Sequence, residues 1–131
     1  MKNTITSRDF IEYPTTSKLT YKNKDPFIRI YKNDHVYYGF YNKDIYLIEL
    51  HRKPIQSKII LKNAIPPNDQ HQTILNQATK QIRGIKYKIL YVSNNQYLCI
   101  GHNEQNISFV IMTIDLNTKG YFEIQNLKRV E

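Results

Sequence analysis

The chain has 131 residues, enough for one domain with a real core, since a chain of this size buries roughly two thirds of its unfolded surface. Hydrophobic residues make up 40% and aromatics 12%, too rich for a disordered chain, while a net charge of +8 favours polyanions such as nucleic acid. A single cysteine, Cys99, excludes an internal disulfide framework, and no window approaches the roughly 20 apolar residues of a membrane span.

The start, MKNTITSRDF, lacks the apolar run of a signal peptide, so a soluble, cytoplasmic protein without membrane association is expected. Residues 1–26 are rich in Thr, Ser, Asn and Lys and are broken by Pro14 and Pro26, which predicts an irregular N-terminal arm with room for one short strand. Phe27 to Lys53 then reads as a meander, three aromatic and β-branched runs separated by Asn33-Asp34 and Asn42-Lys43. Pro54 ends the third run, and Ile55 to Leu61 offers a fourth strand or a return segment.

Ile65-Pro66-Pro67 forces an extended loop, after which Asp69 can cap a helix with Gln72 three residues on. Ile74, Leu75, Ala78 and Ile82 fall on one stripe, with Lys80, Arg83, Gln77 and Gln81 off it, so the spacing predicts a helix from Asp69 to Arg83 that Gly84 stops. Four β runs follow: Lys86 to Val92, Tyr97 to Gly101, Ile107 to Ile114 and Tyr121 to Ile124. The run ISFVIMTI is apolar on both faces apart from Ser108 and Thr113, the pattern of a central strand.

This order predicts a single α+β domain over residues 1–131, mostly antiparallel β: an N-terminal three- or four-stranded meander, one central helix and a C-terminal four-stranded group. A curved sheet, a sandwich or a small barrel would each accommodate it, with the helix covering one open face.

Two-residue loops would set Phe27, Arg29, Tyr31, Val36, Tyr38, Phe40, Ile45, Leu47 and Glu49 on one face of the meander. Ile28, Ile30, Tyr37, Tyr41, Tyr46, Ile48 and Leu50 would line the other, the better core face because charge enters it only near the turns. An aromatic face carrying Arg29, Tyr31 and Tyr38 can stack bases, although Tyr and Phe favour strands in any case and a one-residue slip would exchange the faces. Arg52 and Lys53, with His51, Lys58 and Lys62, form a second basic group, and Lys80, Arg83, Lys86 and Lys88 a third around the helix end, both suited to phosphate contacts. Lys, Asn, Ile and Tyr all use AT-rich codons and all are abundant here, so genome composition is the alternative to a binding role for part of the lysine excess.

Chemistry other than binding has thin support. Cys99 and His102 have ligand-like spacing, but with no second Cys or His pair nearby no metal or cofactor is expected, and Cys99 reads as a small core residue. His102, Glu104, Glu123, Arg83 and Arg129 include the groups a metal-independent ribonuclease would need, without a spacing that brings them together. The leading expectation is therefore a small basic accessory protein, of the kind phages, plasmids and other mobile elements encode, binding single-stranded or structured DNA or RNA. A toxin-like ribonuclease and a protein-binding inhibitor or adaptor are the alternatives.

Overall fold

A computed structural model describes residues 18–21, 25–32, 34–54, 56–104 and 106–130. In chain order they form β1 (Lys18–Tyr21), β2 (Asp25–Lys32), β3 (Val36–Tyr41), β4 (Asp44–Glu49), β5 (Gln56–Leu61), α1 (Asp69–Ala78), β6 (Lys86–Ser93), β7 (Gln96–His102), β8 (Ile107–Leu116) and β9 (Phe122–Arg129). The fold is α+β and mostly antiparallel β, a five-stranded sheet in the order β1-β2-β3-β4-β5 and a four-stranded sheet in the order β6-β7-β8-β9. Two compact units carry these sheets, Met1–Asn63 and Ala64–Glu131. Much of the expected N-terminal arm, residues 1–17 and 22–24, lies outside the described residues; the rest of it supplies β1 and the start of β2.

In the first unit each strand pairs with the next, and of the stretch from Ile55 to Leu61 the described residues, Gln56–Leu61, form a true strand, β5, laid antiparallel on β4. The β3–β4 hairpin turns at Asn42 and Lys43, with Tyr41 opposite Asp44 and positive φ at both loop residues, 52° and 70°. Those dihedrals are the type I′ pattern, whose twist matches that of the strands it joins. A lysine in the left-handed region is strained by its Cβ, and glycine is not. Lys43→Gly should therefore stabilise the hairpin by roughly 1 kcal/mol. Chemical denaturation is the check, and an unchanged or lowered midpoint would refute it.

The β2–β3 connection differs from the two-residue loop expected, since Lys32 pairs with Tyr37 and four residues intervene. A β-bulge between Arg29 and Tyr31 then changes the parity: Tyr31 pairs with Tyr38 but Arg29 with Gly39, two neighbours on β3 that face opposite ways. One face thus carries Tyr31, Tyr38, Ile45, Leu47 and Leu61, all 3% exposed or less. On the other, Tyr37 and Ile48 form a small buried pair, packed by half-buried Tyr41, Tyr46 and Leu50. The expectation that the Tyr37 face is the better core face is corrected accordingly.

In the second unit the cap of α1 lies one residue before the Asp69 expected. Asn68, extended after Pro66-Pro67, accepts a hydrogen bond from the His71 N–H at 2.9 Å, and its own N–H donates to His71 Nδ1 at 3.1 Å. Asn68 and His71 therefore make the reciprocal cap, and Asp69 falls into the first turn, where the helix dipole favours a carboxylate. The helix also ends before Arg83. Thr79 is the C-cap, its Oγ1 donating to the Leu75 carbonyl at 2.8 Å, a back-bond that competes with helix continuation.

Leu75 is the helix residue that is fully buried, with Ile74 and Ala78 packed beside it on Ile89, Val92, Tyr97, Cys99, Val110, Met112 and Ile114. β8 is central, as its two apolar faces imply. β9 runs to Arg129, five residues beyond the apolar run that ends at Ile124, because an edge strand can carry polar side chains to solvent while its backbone pairs on one side. Gly101 is required where it stands, since a Cβ there would lie 2.6 Å from the ring of its cross-strand neighbour Tyr87. No helix of the described residues is long and apolar enough to cross a membrane.

Candidate nucleic-acid interface

Arg29, Tyr31 and Tyr38 do not form one surface. The bulge separates Arg29 from both tyrosines, and Tyr31 and Tyr38 are enclosed, at 3% and 1% exposure, so neither ring presents a face for a base. An arginine-bearing aromatic face does exist, with other members. Arg29 pairs with Gly39, and Gly39 with Tyr46, while Tyr37 and Tyr41 lie two residues either side of Gly39 on the same face. Arg29, Tyr41 and Tyr46 are half-buried and reachable. Burial pushes the Tyr37 hydroxyl above its usual pKa, and the nearby Arg29 guanidinium pulls the other way.

Arg52 and Lys53 are exposed in the turn after β4. Arg52 Nε donates to Glu49 Oε1 at 2.7 Å, and this bond, with the charges of Arg52, His51 and Lys58, holds the Glu49 carboxyl below its usual pKa against a smaller opposing desolvation. Beside them the His35 and His51 rings meet edge to face, centroids 5.5 Å apart, with His51 Nδ1 3.3 Å from the His35 carbonyl oxygen. Two histidines, an arginine and a carboxylate therefore gather at one end of the first sheet, where the sequence alone gave no reason to join residues sixteen apart.

In the second unit Lys80, Arg83, Lys86 and Lys88 are all exposed. The first two follow α1; the other two open edge strand β6 and point to the face opposite the helix, Lys86 across from His102 and Lys88 across from Ile100. From residue 50 to residue 103 the chain carries eight Lys and Arg against one acid, Asp69. The excess charge of the protein is thus concentrated in that segment.

Cys99 is fully buried, its Sγ 3.7 Å from the Tyr97 carbonyl, and burial pushes the thiol up to about 12. It is a core residue and not a nucleophile. Among the described residues no group of three or more His, Cys, Asp and Glu could hold a metal ion. His102 lies at the end of β7, half-buried beside Lys86, and Glu123 lies on β9, two strands away in the sheet. No family model matches the chain, nor does any curated protein or solved structure.

Proposed function

We propose that this chain is a non-enzymatic, cytoplasmic accessory protein that binds single-stranded or structured nucleic acid, chiefly through phosphate contacts. The observation that carries this reading is the near absence of acids from residues 50–103, where Arg52, Lys53, Lys80, Arg83, Lys86 and Lys88 are all exposed. Arg52 shares its charge with Glu49; the other five, in a run of chain poor in carboxylates, keep more of their field, and each phosphate they neutralise releases counterions. Base stacking belongs to Tyr41 and Tyr46 beside Arg29 in this reading, and no longer to Tyr31 or Tyr38.

Affinity for single strands should fall with salt, the slope of log affinity against log salt steepening by about 0.7 per phosphate engaged. Reversing Lys86 and Lys88 to glutamate should flatten that slope. Tyr46→Ala should cost about 1 to 3 kcal/mol and leave the slope alone, because stacking releases no counterions. Fluorescence anisotropy with single-stranded DNA and RNA at low salt tests all three. No binding at low salt removes the reading and leaves a protein-binding inhibitor or adaptor in its place.

One observation favours a second reading, a metal-independent ribonuclease. The His35 and His51 rings, 5.5 Å apart beside the Arg52 to Glu49 pair, have the components of general acid and base catalysis with a cation to stabilise a phosphorane. Cleavage of RNA that survives chelator and is lost in His51→Ala would establish it; intact RNA would dismiss it.

A further inference from the structure

We infer that β9 is a self-pairing edge, through which two copies of this chain join their four-stranded sheets into one continuous antiparallel sheet about a two-fold axis. The two edges of that sheet are managed differently. Both edge strands are bulged, β6 between Ile89 and Tyr91 and β9 at Gln125, so the difference lies in their cover: on β6 a bridge from Ile65 engages Val92 by hydrogen bonds of 2.8 and 2.9 Å. A covering segment is one of the usual devices that keep an edge from recruiting another strand. The outer side of β9 has no strand among the described residues; its cover is the Gln77 side chain, whose Oε1 accepts from the Phe122 N–H at 3.0 Å.

Backbone alternation shows which groups that edge offers. The Val130 N–H donates to the Phe109 carbonyl, so Phe109, Ile111 and Thr113 turn their backbone groups toward β9, while the Ile114 N–H turns the other way, to the Asn95 carbonyl. Opposite Met112 and Ile114, Leu127 and Ile124 therefore direct their N–H and C=O outward. An antiparallel second copy centred between Gln125 and Asn126 sets Ile124 against Leu127, two outward-directed residues, as a ladder requires. Both side chains lie on the helix-covered face, alongside Ile114 and Met112, where they would form an apolar pair. Leu127 is 38% exposed in the single chain.

In the same register Glu123 meets Lys128 on the opposite face. That pairing answers an anomaly within one copy, because Glu123 stands directly across from Asp115 on β8, and like charges so placed are destabilising. Lys128 of the second copy supplies the cation beside them, and by symmetry Glu123 of that copy receives Lys128 of the first. An isologous contact needs a strand complementary to itself in reverse, and the order Glu123, Ile124, Leu127, Lys128 meets this condition.

Sedimentation velocity on the full chain should give about twice the 15.6 kDa of one copy, with the fraction rising with concentration. Glu123→Lys and Lys128→Glu should each weaken the dimer tenfold or more, and the double exchange should restore it, while circular dichroism shows all three folded. A zero-length carbodiimide should link Glu123 of one copy to Lys128 of the other, since within one strand the two lie about 17 Å apart. A chain that stays monomeric throughout overturns the inference. So does a dimer indifferent to Glu123→Lys, or one that the double exchange fails to restore.

Discussion

Leu75→Ala should destabilise the second unit by about 3 kcal/mol, within the usual range for a large aliphatic residue truncated where the cavity cannot collapse. Leu75 is fully buried and stands where α1 meets Ile89, Val92, Cys99 and Met112, all of them in the core beneath it. The helix is ten residues long, too short to persist by its own propensity, so packing of this stripe is what holds it in place. A fall in melting temperature of about 10 °C or more is expected. Gln70→Ala, on the exposed side of the same helix, should stay within about 0.5 kcal/mol of the parent. Equal effects from the two substitutions would mean that Leu75 does not anchor the helix.

Alkaline unfolding should begin near pH 9, well below the range in which ordinary tyrosines and lysines titrate. The Cys99 thiol, ordinarily near 9.0, is pushed up to about 12 by burial, and Tyr37, Tyr87, Tyr91 and Tyr97 are all raised above 10.0, desolvation being the leading cause in each. The sign follows from proton counts. Between the unfolded and folded pKa the unfolded chain has lost its proton and the folded one has kept it, so stability is full below the unfolded value and drains away as pH rises toward the folded one. For Cys99 that window runs from 9.0 to about 12 and corresponds to roughly 4 kcal/mol, with the tyrosines adding to it above 10.0. Three of the four tyrosines and the cysteine lie in the second unit, which should lose structure first. Urea midpoints measured from pH 8 to pH 11 check this, with tyrosinate absorbance of the buried rings appearing only as structure is lost. A midpoint that holds level to pH 11 would show that these groups are wetter than their burial implies.

Much of this protein was legible from local pattern alone. Strands β3, β4 and β6 to β8 announced themselves through aromatic and β-branched runs, and the Asn42-Lys43 turn through the tolerance of asparagine for positive φ, because both signals act over a few neighbouring residues. The apolar stripe of α1 was equally visible, since a helix needs one face to bury. Its ends were not, because the choice between Asn68 and Asp69 as cap, and between Thr79 and Gly84 as stop, turns on single hydrogen bonds of a side chain to the backbone.

Tertiary structure decided the site. One inserted residue on β2, Ile30, sits between the pairs Arg29 with Gly39 and Tyr31 with Tyr38, and it reverses the side on which Arg29 emerges. A period of two amplifies any such insertion into a change of face, and only the partner strand determines where the insertion falls. The extension of β9 past Ile124 was hidden for the related reason that an edge strand needs pairing on one side and no continuous apolar run. What residue order by itself determined was the inventory of elements and the excess of cationic charge. Which aromatic rings are buried and which stand beside an arginine were settled by register, a property of two strands together.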